Sequence, residues 1–100
     1  MAFETIRSCD AARYAGKEGC MLIDLRSEEE YRAGHIPGAV NIPYEELAEQ
    51  KEHIRKYLLF LYCDRGNTSL LAARDLDQEG FRVVNIGGGI LRYRGRIEHS

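Results

Sequence analysis

Residues 58–69, LLFLYCDRGNTS, decide the fold. The apolar run over 58–62 is the strongest strand signal in the chain. Cys63 ends that run, and the polar residues 64–67 have the composition of a turn. A helix is then expected over residues 68–79, followed by a glycine that stops it. The stretch therefore predicts a strand, a cysteine-containing turn and a helix in direct succession.

The rest of the chain repeats this alternation of apolar runs and helical patterns. Apolar runs lie at residues 3–6, 20–25, 39–42 and 81–86, and helical patterns lie at residues 8–15, 27–33 and 45–57. Ser8 is the expected N-cap of the first helix, while Ser27 and Glu30 form a capping-box pattern at the second. Strands that alternate with helices predict an α/β fold with a parallel sheet and helices on both faces.

Length and composition fit one domain over residues 1–100, with 44% hydrophobic and 30% charged residues. The net charge of −2 predicts no nucleic-acid partner, and no apolar run is long enough to predict a membrane span. Residues 1–5 carry no export signal, so a cytoplasmic location is expected. The chain has three cysteines but no CxxC pair and no Cys/His cluster, which predicts neither a metal site nor a disulfide framework.

Polar residues follow three of the predicted strands at their carboxyl ends. They occupy residues 24–26, 63–68 and 85–89. The carboxyl ends of parallel strands meet at one edge of a sheet, and ligands bind there. We therefore expect these three segments to converge on a single site.

Cys63 is the candidate nucleophile at that site. A turn between a strand and a helix can direct its backbone N–H groups inward, and the helix N-terminus adds positive potential. Both effects favour the thiolate, which is the nucleophilic form of cysteine. Arg65 would add a positive charge, and Thr68 and Ser69 would add hydroxyl donors. The alternative is an inert buried cysteine, which is how free cysteines usually behave.

Several motifs taken together resemble the rhodanese-like domain. They are DLR at 24–26 with Glu30 and Tyr31, GHIPGAVNIP at 34–43, CDRGNTS at 63–69, and the closing segment 80–85 with glycines at 87–89. The resemblance extends over about residues 6–91. It implies a fold of about five parallel strands flanked by helices on both faces, and it implies no metal and no organic cofactor.

The resemblance also implies a sulfurtransferase reaction. A donor such as thiosulfate or a persulfide would transfer its outer sulfur to Cys63, and a thiophilic acceptor, cyanide or a thiol, would remove it. Asp24 and Arg26 are expected to pair and to brace the loop. A thioredoxin-like or sulfur-relay protein is a further possible partner. The loop that binds the substrate would comprise Asp64, Arg65, Gly66, Asn67, Thr68 and Ser69.

Thr68 departs from the family pattern, because many members carry arginine at that position of the loop. Arg65 is then the only cation within the loop. A cysteine-dependent phosphatase or arsenate reductase is a weaker alternative, because Ser69 stands where those relatives carry the arginine that clamps the phosphoryl group. A non-catalytic interaction module remains the alternative of another class, although loss of the cysteine is its usual sign.

Other chemistry-bearing residues have simpler interpretations. His35 titrates near neutrality but belongs to a structural turn in the family pattern. Cys9 and Cys20 are expected to be packing residues, either of which could resolve a persulfide if it lay near Cys63.

The C-terminal segment contains Arg92, Arg94 and Arg96 around a tyrosine. A basic and aromatic stripe of this kind could bind RNA or an acidic partner. A solvated or frayed C-terminus is the simpler prediction.

Overall fold

A five-stranded parallel sheet is the centre of the computed structural model, which describes residues 3–100. The strands are β1 (Glu4–Arg7), β2 (Cys20–Asp24), β3 (Val40–Asn41), β4 (Leu58–Tyr62) and β5 (Val83–Gly87). The α-helices are α1 (Glu28–Ala33), α2 (Lys51–Ile54) and α3 (Asn67–Gln78), and 3-10 helices span Ser8–Tyr14, Tyr44–Gln50 and Ile90–Arg92. Met1 and Ala2, which begin the segment where no export signal is expected, lie outside the described residues.

The strand order is β1-β5-β4-β2-β3, and every neighbouring pair is parallel. β4 is central, and its Phe60 pairs with Leu22 of β2 and with Val84 of β5. Because the strands run in one direction, their carboxyl ends share one edge. The predicted α/β fold with a parallel sheet is confirmed.

Side-chain alternation along β4 divides the core into two layers. Leu59, Leu61 and Cys63 belong to a buried cluster with residues of α2 and α3. Phe60 and Tyr62 belong to a second cluster, on the other face, with residues of the first 3-10 helix and of the turn after α1. The strand therefore delivers Cys63 to the face that α3 covers.

Two predicted α-helices have mostly 3-10 geometry. The helix expected over 45–57 is the 3-10 helix Tyr44–Gln50 followed by the short α2. Leu47 and Ile54 are buried, but no residue between them is, so the core does not enforce α-helical geometry there. Ser8 is the buried first residue of its 3-10 helix rather than its N-cap.

Within residues 3–100, no helix is both long and apolar enough to cross a membrane.

The C-terminal residues fold back onto the turn after α1. His35 and Glu98 exchange two backbone hydrogen bonds of 2.8 Å, and the Ser100 N–H donates to the Arg32 carbonyl at 3.0 Å. The buried His35 ring stacks on Tyr31 with 3.7 Å between ring centroids. The C-terminus is therefore not frayed, but the predicted exposure of Arg92, Arg94 and Arg96 to solvent is confirmed. His35 has the structural role expected of it.

A buried ion pair closes the carboxyl edge of β2. Asp24 is fully buried and accepts hydrogen bonds from the Arg26 backbone N–H at 2.9 Å and from Arg26 Nη2 at 2.8 Å. Arg26 Nη2 also donates to the Gly34 carbonyl at 2.6 Å, and Arg26 Nη1 lies 3.9 Å from Asp64 Oδ1. Burial acts to lower the pKa of Arg26, but the hydrogen bond and charge of Asp24 outweigh it and raise that pKa. The pair ties β2, the end of α1 and the loop after β4 together.

The short helix α1 depends on its cap, because none of its six residues is buried. Ser27 Oγ accepts from the Glu30 N–H at 3.2 Å, and the Ser27 N–H donates back to Glu30 Oε1 at 3.1 Å. Hydrogen bonds from the Ser27 backbone and side chain lower the pKa of Glu30. The predicted capping box is therefore confirmed.

Replacing Ser27 by alanine should lower the free energy of unfolding by about 1 kcal/mol at neutral pH. Because the folded-state pKa of Glu30 is depressed, the stability contributed by its carboxylate is present above its unfolded pKa of about 4.3 and is lost as pH falls. The difference between Ser27→Ala and the wild type should therefore shrink in acid. Urea denaturation at pH 7 and pH 3 measures it, and exposed Ser100→Ala, whose contact is through its backbone, should show no difference at either pH.

Replacing Asp24 by asparagine should be far more costly, because it leaves the nearly buried Arg26 cation without its counter-charge. We expect the free energy of unfolding to fall by about 3 kcal/mol. Glu28→Gln is the matched control, since it breaks an ion pair with Arg32 whose side chains are 69% and 63% exposed. That control should cost no more than about 0.5 kcal/mol. Equal losses in the two variants, measured by urea denaturation, would contradict the bracing role of the buried pair.

Candidate active site

Cys63 lies at the carboxyl end of the central strand, with its sulfur turned toward the start of α3. Two backbone groups donate to Sγ: the Gly66 N–H at 3.2 Å and the Ser69 N–H at 3.3 Å. The Ser69 N–H belongs to the first turn of α3, where helix geometry leaves N–H groups without partners in the helix. Hydrogen bonds of this kind stabilise negative charge on sulfur. The predicted amide-lined loop is therefore present around Cys63.

Gly66 allows the loop to turn back on the sulfur. Its φ of +102° lies in the left-handed region, and a Cβ built on it would lie 3.1 Å from the backbone nitrogen of Gly88. Gly89 packs more closely still, since a Cβ there would collide with the Cys63 and Asp64 carbonyls. The loop after β4 and the glycine turn after β5 therefore contact each other through backbone atoms.

A series of polar side chains, linked by hydrogen bonds, leads from Cys63 into the protein. The Cys63 thiol lies 3.6 Å from Ser69 Oγ, which donates to Asn85 Oδ1 at 2.7 Å. Asn85 Nδ2 in turn donates to Thr5 Oγ1 at 3.4 Å. Ser69 is fully buried and Asn85 is 3% exposed, so these groups depend on one another for hydrogen bonds. The sequence analysis did not assign this role to Thr5 and Asn85; the available signal was a polar residue within the apolar run at 81–86.

The remaining loop residues face an open pocket of about 500 Å³. Asp64, Arg65, Asn67 and Thr68 line it together with Cys63, whereas Gly66 and Ser69 reach the sulfur from within the protein. Arg26, Glu30 and Glu45 are its other charged lining residues. The pocket therefore mixes both signs of charge beside the sulfur. The predicted loop residues are brought together as expected.

Asp24 and Arg26 differ in their relation to this pocket. Arg26 lines it, while Asp24 is fully buried beneath and does not. Asp24 acts on the loop through Arg26, whose guanidinium lies near Asp64. The two side chains pair as the sequence predicted, and the bracing of the loop stays a prediction.

The other two cysteines do not line the pocket of Cys63. Cys20 is half-buried and pairs with Leu58 at the start of β4, five residues and about 16 Å along the chain from Cys63. It therefore lies at the opposite edge of the sheet from Cys63 and cannot resolve a persulfide there. Cys9 is exposed, so its predicted packing role is wrong.

Comparison with known proteins agrees with this geometry. The chain matches the rhodanese-like domain over residues 10–95. It is 37% identical over 80 residues to a tRNA sulfurtransferase of Desulfurococcus amylolyticus, which covers 80% of this chain and 16% of that protein. It is 35% identical over 82 residues to the putative sulfurtransferase YtwF of Bacillus subtilis, covering 81% of this chain and 80% of that protein.

A solved structure extends the match to the whole fold. The rhodanese-related protein of Thermoplasma volcanium is 27% identical and superposes with a TM-score of 0.80, covering 98% of this chain and 100% of that one. The sequence match thus spans most of the chain, and the fold match nearly all of it. The chain belongs to the rhodanese-like domain family.

Proposed function

We propose that the protein is a sulfurtransferase that moves a sulfane sulfur from thiosulfate or a persulfide donor to a thiophilic acceptor through a persulfide on Cys63. The observation that carries this proposal is the pair of N–H donors, from Gly66 and Ser69, on the sulfur of Cys63. A structural cysteine has no need of charge stabilisation at its sulfur, whereas a nucleophilic one does. Relatives named sulfurtransferase support the same reaction class.

The first half-reaction forms the persulfide. The Cys63 thiolate attacks the outer sulfur of thiosulfate, a new S–S bond forms, and the bond to the inner sulfur breaks. Sulfite leaves with the electron pair of that bond. Arg65, which is exposed at the pocket and has no hydrogen bond or ion pair within residues 3–100, supplies a cation for the anionic donor.

The second half-reaction regenerates the thiolate. A cyanide or thiolate acceptor attacks the terminal sulfur of the persulfide, and the bond to Cys63 Sγ breaks. The electron pair returns to Sγ, where the Gly66 and Ser69 N–H groups receive the charge. The same two donors therefore serve the nucleophile in the first step and the leaving group in the second. A sulfur relay, in which a partner protein loads or unloads Cys63, uses the same steps.

Incubation with thiosulfate should add the mass of one sulfur atom to the intact protein. Cyanide should remove that sulfur as thiocyanate, and Cys63→Ser should not gain it. Cys9→Ser is the matched control and should gain sulfur like the wild type, because Cys9 is the exposed cysteine outside the loop. If neither thiosulfate nor glutathione persulfide yields an adduct on Cys63, the chain is a non-catalytic module and the proposal fails.

Replacing Gly66 by alanine should slow persulfide formation by at least roughly a hundredfold, because the side chain displaces an N–H that stabilises charge on sulfur. Gly16→Ala is the matched control: Gly16 also has positive φ, at +77°, but no atom lies within 4 Å of its added Cβ. The control should lose stability through backbone strain and retain the rate of the wild type. The rate constant for sulfur transfer from thiosulfate measures both variants, and equal slowing in the two would contradict the role of the Gly66 N–H.

A further inference from the structure

A second groove lies on the other side of the active-site loop, and its charged residues are all arginines. Its volume is about 800 Å³. We call it the arginine groove, defined by Arg7 at the end of β1, Arg65 in the loop, and Arg92 and Arg94 after the glycine turn. No acidic side chain of residues 3–100 lines it. Positive charge is thus concentrated here in a chain whose net charge is −2.

Three of the four arginines that define the groove have side chains without a partner among residues 3–100. Within residues 3–100, the side chains of Arg65, Arg92 and Arg94 make no hydrogen bond, ion pair or ring contact; Arg74 is the one further arginine whose side chain makes none. Arg7 has only a 3.7 Å contact with Asp10, and its side chain is 83% exposed. Most other arginines of the chain have a partner. The positive charges of the groove arginines repel one another, and a bound anion would reduce that repulsion.

The groove is joined to the active-site loop by backbone contacts. The Ile90 N–H donates to the Cys63 carbonyl at 3.0 Å, and the Leu91 N–H donates to the Asp64 carbonyl at 3.1 Å. Arg65 lines both the arginine groove and the pocket of Cys63. A molecule held in the groove therefore lies against the back of the loop, and Arg65 is the residue that the groove shares with the pocket of Cys63.

We propose that the arginine groove binds the phosphate groups of a small phosphorylated thiol or persulfide, which exchanges sulfur with Cys63. This rests on the sulfurtransferase function proposed above. In the exchange, the thiolate of the bound molecule attacks the terminal sulfur of the Cys63 persulfide. The S–S bond to Cys63 breaks, its electron pair returns to Sγ, and the molecule leaves as a persulfide; a persulfide donor follows the reverse path.

The size and chemistry of the groove favour that class of ligand. Guanidinium groups bind phosphate through two parallel hydrogen bonds, and several arginines in one groove suit a ligand with more than one phosphate charge. The volume is in the range of sites for nucleotide-sized ligands and is much larger than thiosulfate needs. Leu91, which is 58% exposed, adds an apolar contact beside the arginines. A chain with net negative charge is poorly suited to a long nucleic acid.

The test uses ADP as the probe and titration calorimetry as the readout. ADP should bind the wild-type protein and adenosine should not. The double variant Arg92→Gln/Arg94→Gln should weaken ADP binding at least roughly tenfold, because each arginine–phosphate contact is charge-assisted. Arg32→Gln/Arg74→Gln removes the same charge from exposed positions on α1 and α3 and should leave binding unchanged. Neither variant should change the rate of persulfide formation from thiosulfate.

The outcomes separate this inference from the proposed function. ADP binding is measured without any sulfur transfer, so it stands or falls independently of persulfide formation on Cys63. The inference is overturned if ADP does not bind, or if both double variants weaken it equally. It is also overturned if a single-stranded oligouridylate or a glutamate-rich peptide displaces bound ADP when its concentration is below that of ADP. The groove would then bind a macromolecule.

Discussion

The arrangement of the site depends on one buried charge. Asp24 is fully removed from solvent at the end of β2, and an isolated carboxylate there would be strongly destabilising. Arg26 neutralises it and extends to the Gly34 carbonyl and toward Asp64. Asn41 donates to the Asp24 and Arg26 carbonyls at 3.1 Å and 2.9 Å, which fixes β3 to the same pair. The loop that carries Cys63 therefore lies next to a charge pair that does not itself touch the sulfur.

Side-chain alternation along β4 places the sulfur of Cys63 and the hydrogen-bond network around Asp24 on opposite faces of the sheet. Cys63 faces the layer of α3, where Ser69 meets it, while Tyr62 faces the other layer. The Tyr62 hydroxyl accepts the Ile36 N–H at 3.1 Å, and burial, together with the charge of Asp24, raises the pKa of Tyr62 well above its ordinary value. It therefore stays a neutral hydroxyl within the brace. Two consecutive residues thus place the Cys63 sulfur on one face of the sheet and a hydroxyl of the supporting network on the other.

Strong local signals made most of this fold predictable. The apolar run at 58–62 became β4 with those bounds, and the Ser27–Glu30 pattern became a capping box. Prediction failed where tertiary contacts decide: the polar residues between Leu47 and Ile54 adopt 3-10 geometry, and the C-terminal residues pair with His35. Neither outcome has a local signal.

The site was predictable to the same extent and for the same reason. The turn residues after Cys63 predicted N–H donors at its sulfur, because those donors belong to residues close to Cys63 in the sequence. Ser69 and Asn85 are 16 positions apart in the sequence, and Asn85 and Thr5 are 80 positions apart. Both contacts therefore depend on the order of the strands in the sheet. A parallel sheet with β5 between β1 and β4 is required before these side chains meet.

The loop at residues 63–69 contains a single cation, Arg65. Thr68 occupies the position at which many members of the family carry arginine, and it lines the pocket of Cys63 without adding charge. The N–H donors of Gly66 and Ser69 serve the sulfur without a cation. The arginine side chains that have no partner among residues 3–100 lie instead mainly on the far side of the loop, with Arg65 between the arginine groove and the pocket of Cys63. In the reaction and the ligand site that we propose, backbone amides serve the sulfur, and side chains mainly outside the loop select the molecule that carries it. Arg92 and Arg94 can then vary without disturbing the bond-making atoms, whereas Gly66 cannot.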